Sequence, residues 1–242
     1  MRISHQYKFI LFCNPKTGSE SFREMLDQYS DLRVNNNVRE QGENFPFYTH
    51  ISPLETKEIF EDLGWEYGSY LKIICTRNPF NRLVSLYEMI YKRRPSIFRP
   101  SFKNWLLNTK NSGVGGGGKD YHRWRKYGTY SLDNLIFDEN GDSLVDKVIK
   151  LEEFNKEIPA LFSRLNLPKL DGIVKKNVGR KSKKTQEYYD DELVSLVQQR
   201  YSWELKKFNY KLFQLVIFCF ILSIKHFGAK ELYLFNNLIT FP

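Results

Sequence analysis

The sequence predicts an α/β fold, a parallel sheet flanked by helices. Three observations carry that prediction. Phe9-Ile10-Leu11-Phe12 is an apolar run of strand length. It passes through a short turn into a helical pattern, with Phe22, Met25, Leu26 and Tyr29 at helical spacing. Leu71-Lys72-Ile73-Ile74-Cys75-Thr76 is a second, mostly apolar run, as a parallel strand covered on both faces requires. It too leads into a helical stripe, made by Leu83, Leu86, Tyr87 and Ile90. At 242 residues, 41% of them apolar, the chain suits one such domain with an ordinary core and a short appendage.

The first turn is Cys13-Asn14-Pro15-Lys16-Thr17-Gly18-Ser19-Glu20-Ser21. A strand, a loop of small and hydroxyl residues, then a helix is an arrangement that holds a phosphate. Free N–H groups at the helix start point at the anion, and the helix dipole favours negative charge there. Lys16 adds a mobile cation. The turn is P-loop-like without being a Walker A loop, because Lys16 precedes Gly18 and no earlier Gly stands in the loop. An ordinary strand-to-helix turn carrying a surface Lys is the plainer reading. The pattern Pro-Lys-Thr-Gly-Ser-x-Ser also resembles the 5′-phosphosulfate loop of PAPS-dependent sulfotransferases.

A formal net charge of +9 favours an anionic partner, whether nucleotide, acidic glycan, nucleic acid or anionic membrane. Charge alone does not choose among them. Three cysteines make no disulfide framework, and Cys13 and Cys75, both in apolar runs, read as buried free thiols. No signal peptide is evident. The expectation is a cytoplasmic protein if the chain is complete, and a Golgi-lumenal or membrane-associated one if an N-terminal anchor precedes it.

After the first helix, residues 30–47 read as loop from their Asn, Asp, Gly and Pro content. Ser52-Pro53-x-Glu55 then carries a helix start: Ser52 as N-cap, Pro53 in the first turn, Glu55 closing a capping box. That helix runs to Leu63, and Gly64 stops it. His50 sits just before it.

Arg77 follows the second strand, at the carboxyl end where open α/β sheets bind ligands. Ser85 falls two turns into the next helix. Arg can fork to a phosphate and Ser can donate a hydroxyl, so both can converge on one anion. Arg82 reads as a solvated helix charge, and Ser85 could equally bond its own backbone. Arg77-Asn78-Pro79-Phe80-Asn81-Arg82-Leu83-Val84-Ser85-Leu86-Tyr87 resembles the 3′-phosphate signature of the carbohydrate sulfotransferases. The likeness is greatest to the branch of uronyl 2-O- and chondroitin/dermatan-type enzymes and their bacterial relatives. The resemblance implies the sulfotransferase fold, with Arg77 and Ser85 gripping the 3′-phosphate of PAPS.

Residues 91–130 mix Lys and Arg with Trp and Tyr, around a short amphipathic helix at Phe98–Leu107 and a loop at Gly113–Gly118. We read this as a mobile acceptor-side lid. Such a mixture suits single-stranded nucleic acid, sugars and acidic glycans alike, or a plain solvated face. His122 reads as a surface residue. Leu144–Phe154 looks like the family's next strand, with Glu152-Glu153 where the family usually has Glu-Asn or a similar pair. A helix over 155–166 ends at Pro168. Residues 174–184 read as a basic solvated loop, and the resemblance implies cofactor contact for Arg180 and Lys181. Tyr188–Leu193, Val194, Leu196, Val197 and Tyr201 mark a last helix that ends at Phe208-Asn209-Tyr210, like the family's terminal Phe-x-Tyr.

The match covers a domain over 1–211 and leaves 212–242 as a hydrophobic extension. Leu212–Ile224 is too short to span a membrane and reads as an accessory hydrophobic helix. An interfacial anchor or an aberrant tail are the other readings, so membrane contact through 212–224 stays open.

The resemblance implies an in-line sulfuryl transfer from PAPS to a hydroxyl of an acceptor, leaving PAP. The acceptor expected is a glycan, acidic or neutral, and no nucleic acid is expected. Lys16 would stabilise the leaving oxygen. Thr17, Gly18, Ser19 and Ser21 would hold the 5′-phosphate. His50, whose imidazole titrates near neutral pH, would be the general base, in the place where these relatives carry a catalytic His. Glu20 is a second candidate base, and a structural hydrogen-bonding role is the plainer reading of His50. No His, Cys, Asp or Glu cluster has metal-ligand spacing. Two rivals remain: a non-catalytic basic glycan- or nucleic-acid-binding protein with a degenerate cofactor site, and an ATP-dependent P-loop-like kinase.

Overall fold

The computed structural model describes residues 1–34, 45–109, 128–169, 172 and 184–212. Its strands are β1 (Arg2–Ser4), β2 (Phe9–Phe12), β3 (Leu32–Arg33), β4 (Leu71–Thr76) and β5 (Lys147–Lys150). They form one sheet in the order β3-β1-β2-β4-β5. β2, β4 and β5 run parallel, and β1 pairs antiparallel with both β2 and β3. Four of the five strands therefore point the same way. β1 and β3 escaped the sequence reading: two or three residues carry no period, and β3 lies in a stretch that reads as loop.

Alternation along the strands divides the core into two layers. Phe9, Leu11, Ile73, Cys75 and Ile149 face helices α1 (Ser19–Leu26) and α6 (Phe154–Arg164), meeting Phe22, Met25, Ile158 and Phe162. Ile3, Ile10, Phe12 and Ile74 face the opposite side, packed with Phe60 of α2 (Pro53–Asp62) and with Leu135 and Ile136 of α5 (Asp133–Ile136). The helix pattern explains α1, since Phe22, Met25 and Leu26 are its buried apolar residues. β2 is buried along its whole length, as a strand covered on both faces must be.

The predicted capping box is present: the Glu55 amide donates to the Ser52 hydroxyl at 3.1 Å, and the Ser52 amide to Glu55 at 3.3 Å. α3 (Pro79–Tyr91) begins with the Asn78 side chain accepting from the Phe80 amide. The predicted helix over Phe98–Leu107 is a single turn at Ser96–Phe98 followed by α4 (Phe102–Leu107). The predicted last helix divides into a turn at Thr185–Tyr188, α7 (Asp191–Arg200) and α8 (Ser202–Phe208). Asp190 caps α7 by accepting from the Leu193 amide. Among the described residues, no helix is long and apolar enough to cross a membrane.

Arg82 corrects the sequence reading. It is fully buried rather than solvated. Its two guanidinium nitrogens reach both Glu204 oxygens, at 2.9 and 2.8 Å, and one also donates to the Tyr130 carbonyl at 3.0 Å. Glu204 in turn accepts from the Leu132 amide and the Thr76 hydroxyl. The pair ties α3 to α8 and to the end of β4.

Candidate active site

Because Phe12 pairs with Ile74 and Thr76 with Lys150, the carboxyl ends of β2, β4 and β5 lie side by side. The segments that follow those strands, 13–18, 77–78 and 151–153, gather at that edge. This is the edge at which open α/β sheets take ligands.

The first segment is a tight turn between β2 and α1. Lys16 has φ 64° and Gly18 φ 81°, so two left-handed residues bend the chain within three positions. A non-Gly residue held there is strained, and such strain collects at ligand sites. Gly18 is the N-cap of α1 and, as glycine, supplies no side-chain cap, so the start of the helix is turned to the loop. Glycine suits position 18, because side chains rarely adopt its φ, and a Cβ would lie 2.5 Å from Leu151 Cδ1, which would have to shift. Thr17 is fully buried, and its hydroxyl donates to the Asn14 carbonyl at 2.7 Å. Thr17 therefore pins the loop and offers an anion only its amide. Ser19 and Ser21 are buried, and Glu20 is exposed, in a loose pair with Arg23 at 3.9 Å.

Arg77 reaches back to this loop, donating to the Lys16 carbonyl at 3.3 Å. Burial lowers its guanidinium affinity for protons, and neighbouring Glu152 opposes that effect. Glu152 accepts from the Asn78 amide at 2.9 Å and from the Tyr210 hydroxyl at 3.1 Å. Lys16 Nζ lies 3.3 Å from Met89 Sδ, and burial, with Arg77 adding to it, lowers its pKa. Ser85 is half-buried on α3, one turn before Met89, and residues so spaced share a helix face. The face that carries Ser85 is thus the one that meets Lys16.

His50 Nδ1 lies 2.6 Å from the Cys13 carbonyl. A carbonyl only accepts, so Nδ1 carries the proton and Nε2 the lone pair. Burial pushes the imidazole down to about 4, keeping the ring neutral near pH 7. The capping box that starts α2 holds the turn before it. His50, Asn14, Pro15 and Ser52 line one cavity at the end of β2.

Lys16, His50, Thr17, Gly18, Ser19 and Ser21 thus surround the end of β2, and Arg77 and Ser85 approach it from β4 and α3. Arg180, Lys181, His122 and the Gly113–Gly118 loop lie outside the described residues. Sequence reasoning missed Glu152 as a partner of the Arg77 segment, since the two stand 74 residues apart. Tyr210 was legible only through the terminal Phe-x-Tyr. Asn14 was passed over as a turn residue.

A family model described as Sulfotransferase family matches residues 1–211. The chain belongs to the sulfotransferase family. Membership makes it an enzyme of sulfuryl transfer, acting on a hydroxyl-bearing acceptor, and the mixed α/β sheet flanked by helices agrees with that fold. No curated protein and no solved structure matches the chain.

Proposed function

We propose that this sulfotransferase takes its sulfuryl group from PAPS and passes it to a hydroxyl of a glycan acceptor. The observation that supports the reading is the bond from Arg77 to the Lys16 carbonyl, which brings together the two segments assigned to the phosphates. One doubly phosphorylated adenosine has the reach for both. The amides of Thr17, Gly18, Ser19 and Ser21, with the serine hydroxyls, hold the 5′-phosphate at the start of α1. Arg77 and Ser85 hold the 3′-phosphate, and Arg180 and Lys181 close on the same phosphate and the adenine.

His50 Nε2 takes the proton from the acceptor hydroxyl as that oxygen forms its bond to sulfur. The bond from sulfur to the 5′-phosphate oxygen breaks in line, and Lys16 neutralises the charge that develops there. A buried imidazole with a pKa near 4 is a weak base by itself. The bound donor is strongly anionic, and its charge favours the imidazolium, raising the pKa towards the working pH. The acceptor surface is the basic and aromatic stretch 91–130, which matches an acidic or neutral glycan. The hydrophobic run after residue 211 stands outside this domain and offers a membrane contact.

A thermal-shift comparison of PAP, ATP with Mg²⁺, and heparin tests the reading. PAP at a hundred times its dissociation constant stabilises a specific binder by about 2.7 kcal/mol. A response to ATP with Mg²⁺ instead would favour phosphoryl transfer, and a response to heparin alone a glycan-binding protein without catalysis.

A further inference from the structure

Asn14 has no role in the scheme above, yet it is the least explained residue of the loop. It is 2% exposed. Neither its amide nitrogen nor its amide oxygen has a hydrogen-bond partner among the described residues. Buried side-chain amides are nearly always paired, and an orphan in a native structure calls for a missing partner. Its own backbone is fixed, because the Thr17 hydroxyl holds the Asn14 carbonyl at 2.7 Å. The side chain is thus held in place by its neighbours while both its polar atoms stay unpaired.

Position says what the partner is. Asn14 stands two residues before Lys16, which meets the leaving oxygen, and shares a cavity wall with His50, which meets the acceptor hydroxyl. The sulfur in flight lies between those two oxygens. In-line transfer leaves three non-bridging sulfonate oxygens carrying charge, and the roles given so far supply them no donor. We propose that the Asn14 amide nitrogen donates to a non-bridging oxygen of the transferring sulfonate. The amide would thus make its hydrogen bond only when a donor carrying that group is bound. The assignment rests on the PAPS reading above.

PAP and PAPS differ only in the sulfonate, so the ratio of their affinities isolates this contact without any acceptor. Calorimetry on the full chain would compare wild type with Asn14→Leu and Asn14→Asp. A hydrogen bond to a charged oxygen is worth about tenfold to a hundredfold in affinity. Asn14→Leu should weaken PAPS by that much and leave PAP unchanged, while Asn14→Asp, whose carboxylate also repels the 5′-phosphate, should weaken both and PAPS the more. Asn14→Leu removes two unpaired buried atoms, so its melting temperature should hold or rise. An unchanged PAPS-to-PAP ratio, whether both affinities fall together or neither moves, overturns the sulfonate contact alone. If wild type binds neither nucleotide, the donor assignment falls and this contact with it.

Discussion

The Arg77 guanidinium donates to the backbone carbonyl of Lys16 at 3.3 Å, joining the loop after β2 to the end of β4. The two residues stand 61 positions apart in the chain. Adjacent parallel strands bring them together, and the bond fixes the spacing between two cationic groups.

Lys16→Ala should reduce turnover by on the order of a hundredfold to a thousandfold, as loss of one preorganised charge-stabilising group does. The fold should survive, because Arg77 bonds the Lys16 backbone carbonyl, which Ala keeps. Turnover within a few-fold of wild type, with circular dichroism unchanged, would remove Lys16 from the chemistry.

His50→Gln should abolish the pH dependence that the imidazole contributes to turnover. It should also change stability against pH. The folded pKa, about 4, lies below the ordinary value of 6.5. The unfolded chain therefore binds the extra proton first. The stability this group contributes is present above pH 6.5 and is lost as pH falls towards 4. Urea midpoints measured across that window should slope for wild type and flatten for the variant. A wild-type profile as flat as the variant's would contradict the buried neutral imidazole.

Gly18→Ala should destabilise by roughly 1–3 kcal/mol, since it places a side chain at φ 81° and against Leu151 Cδ1. PAP affinity should fall with it, because the same turn aims the α1 amides. Chemical denaturation and calorimetry would check both, and unchanged values in each would show that the loop tolerates a Cβ.

Glu204→Gln should cost about 3–5 kcal/mol, because it leaves the fully buried Arg82 without its counter-ion. Replacing both partners by apolar residues should recover only part of that loss. The Leu132 amide and the Thr76 hydroxyl also donate to Glu204 and would stay unpaired. A double variant as stable as wild type would show those two donors to be unimportant.

Much of the scaffold was legible along the chain because its causes are local. The bounds of β4 follow from the apolar run Leu71–Thr76, and the start of α2 from Ser52 and Glu55 standing three apart. The Pro-Lys-Thr-Gly turn and the Arg77-to-Ser85 spacing marked the two segments that meet at the sheet edge, since backbone conformation and helix periodicity act over a few residues. Folding alone decided the rest. Arg82 looked like a surface charge because its partner stands 122 residues away. Glu152, Asn14 and the two shortest strands gave no local sign of their roles. Burial and hydrogen-bond pairing arise between distant segments, so a side chain's surroundings exist only once the sheet has brought its loops to one edge.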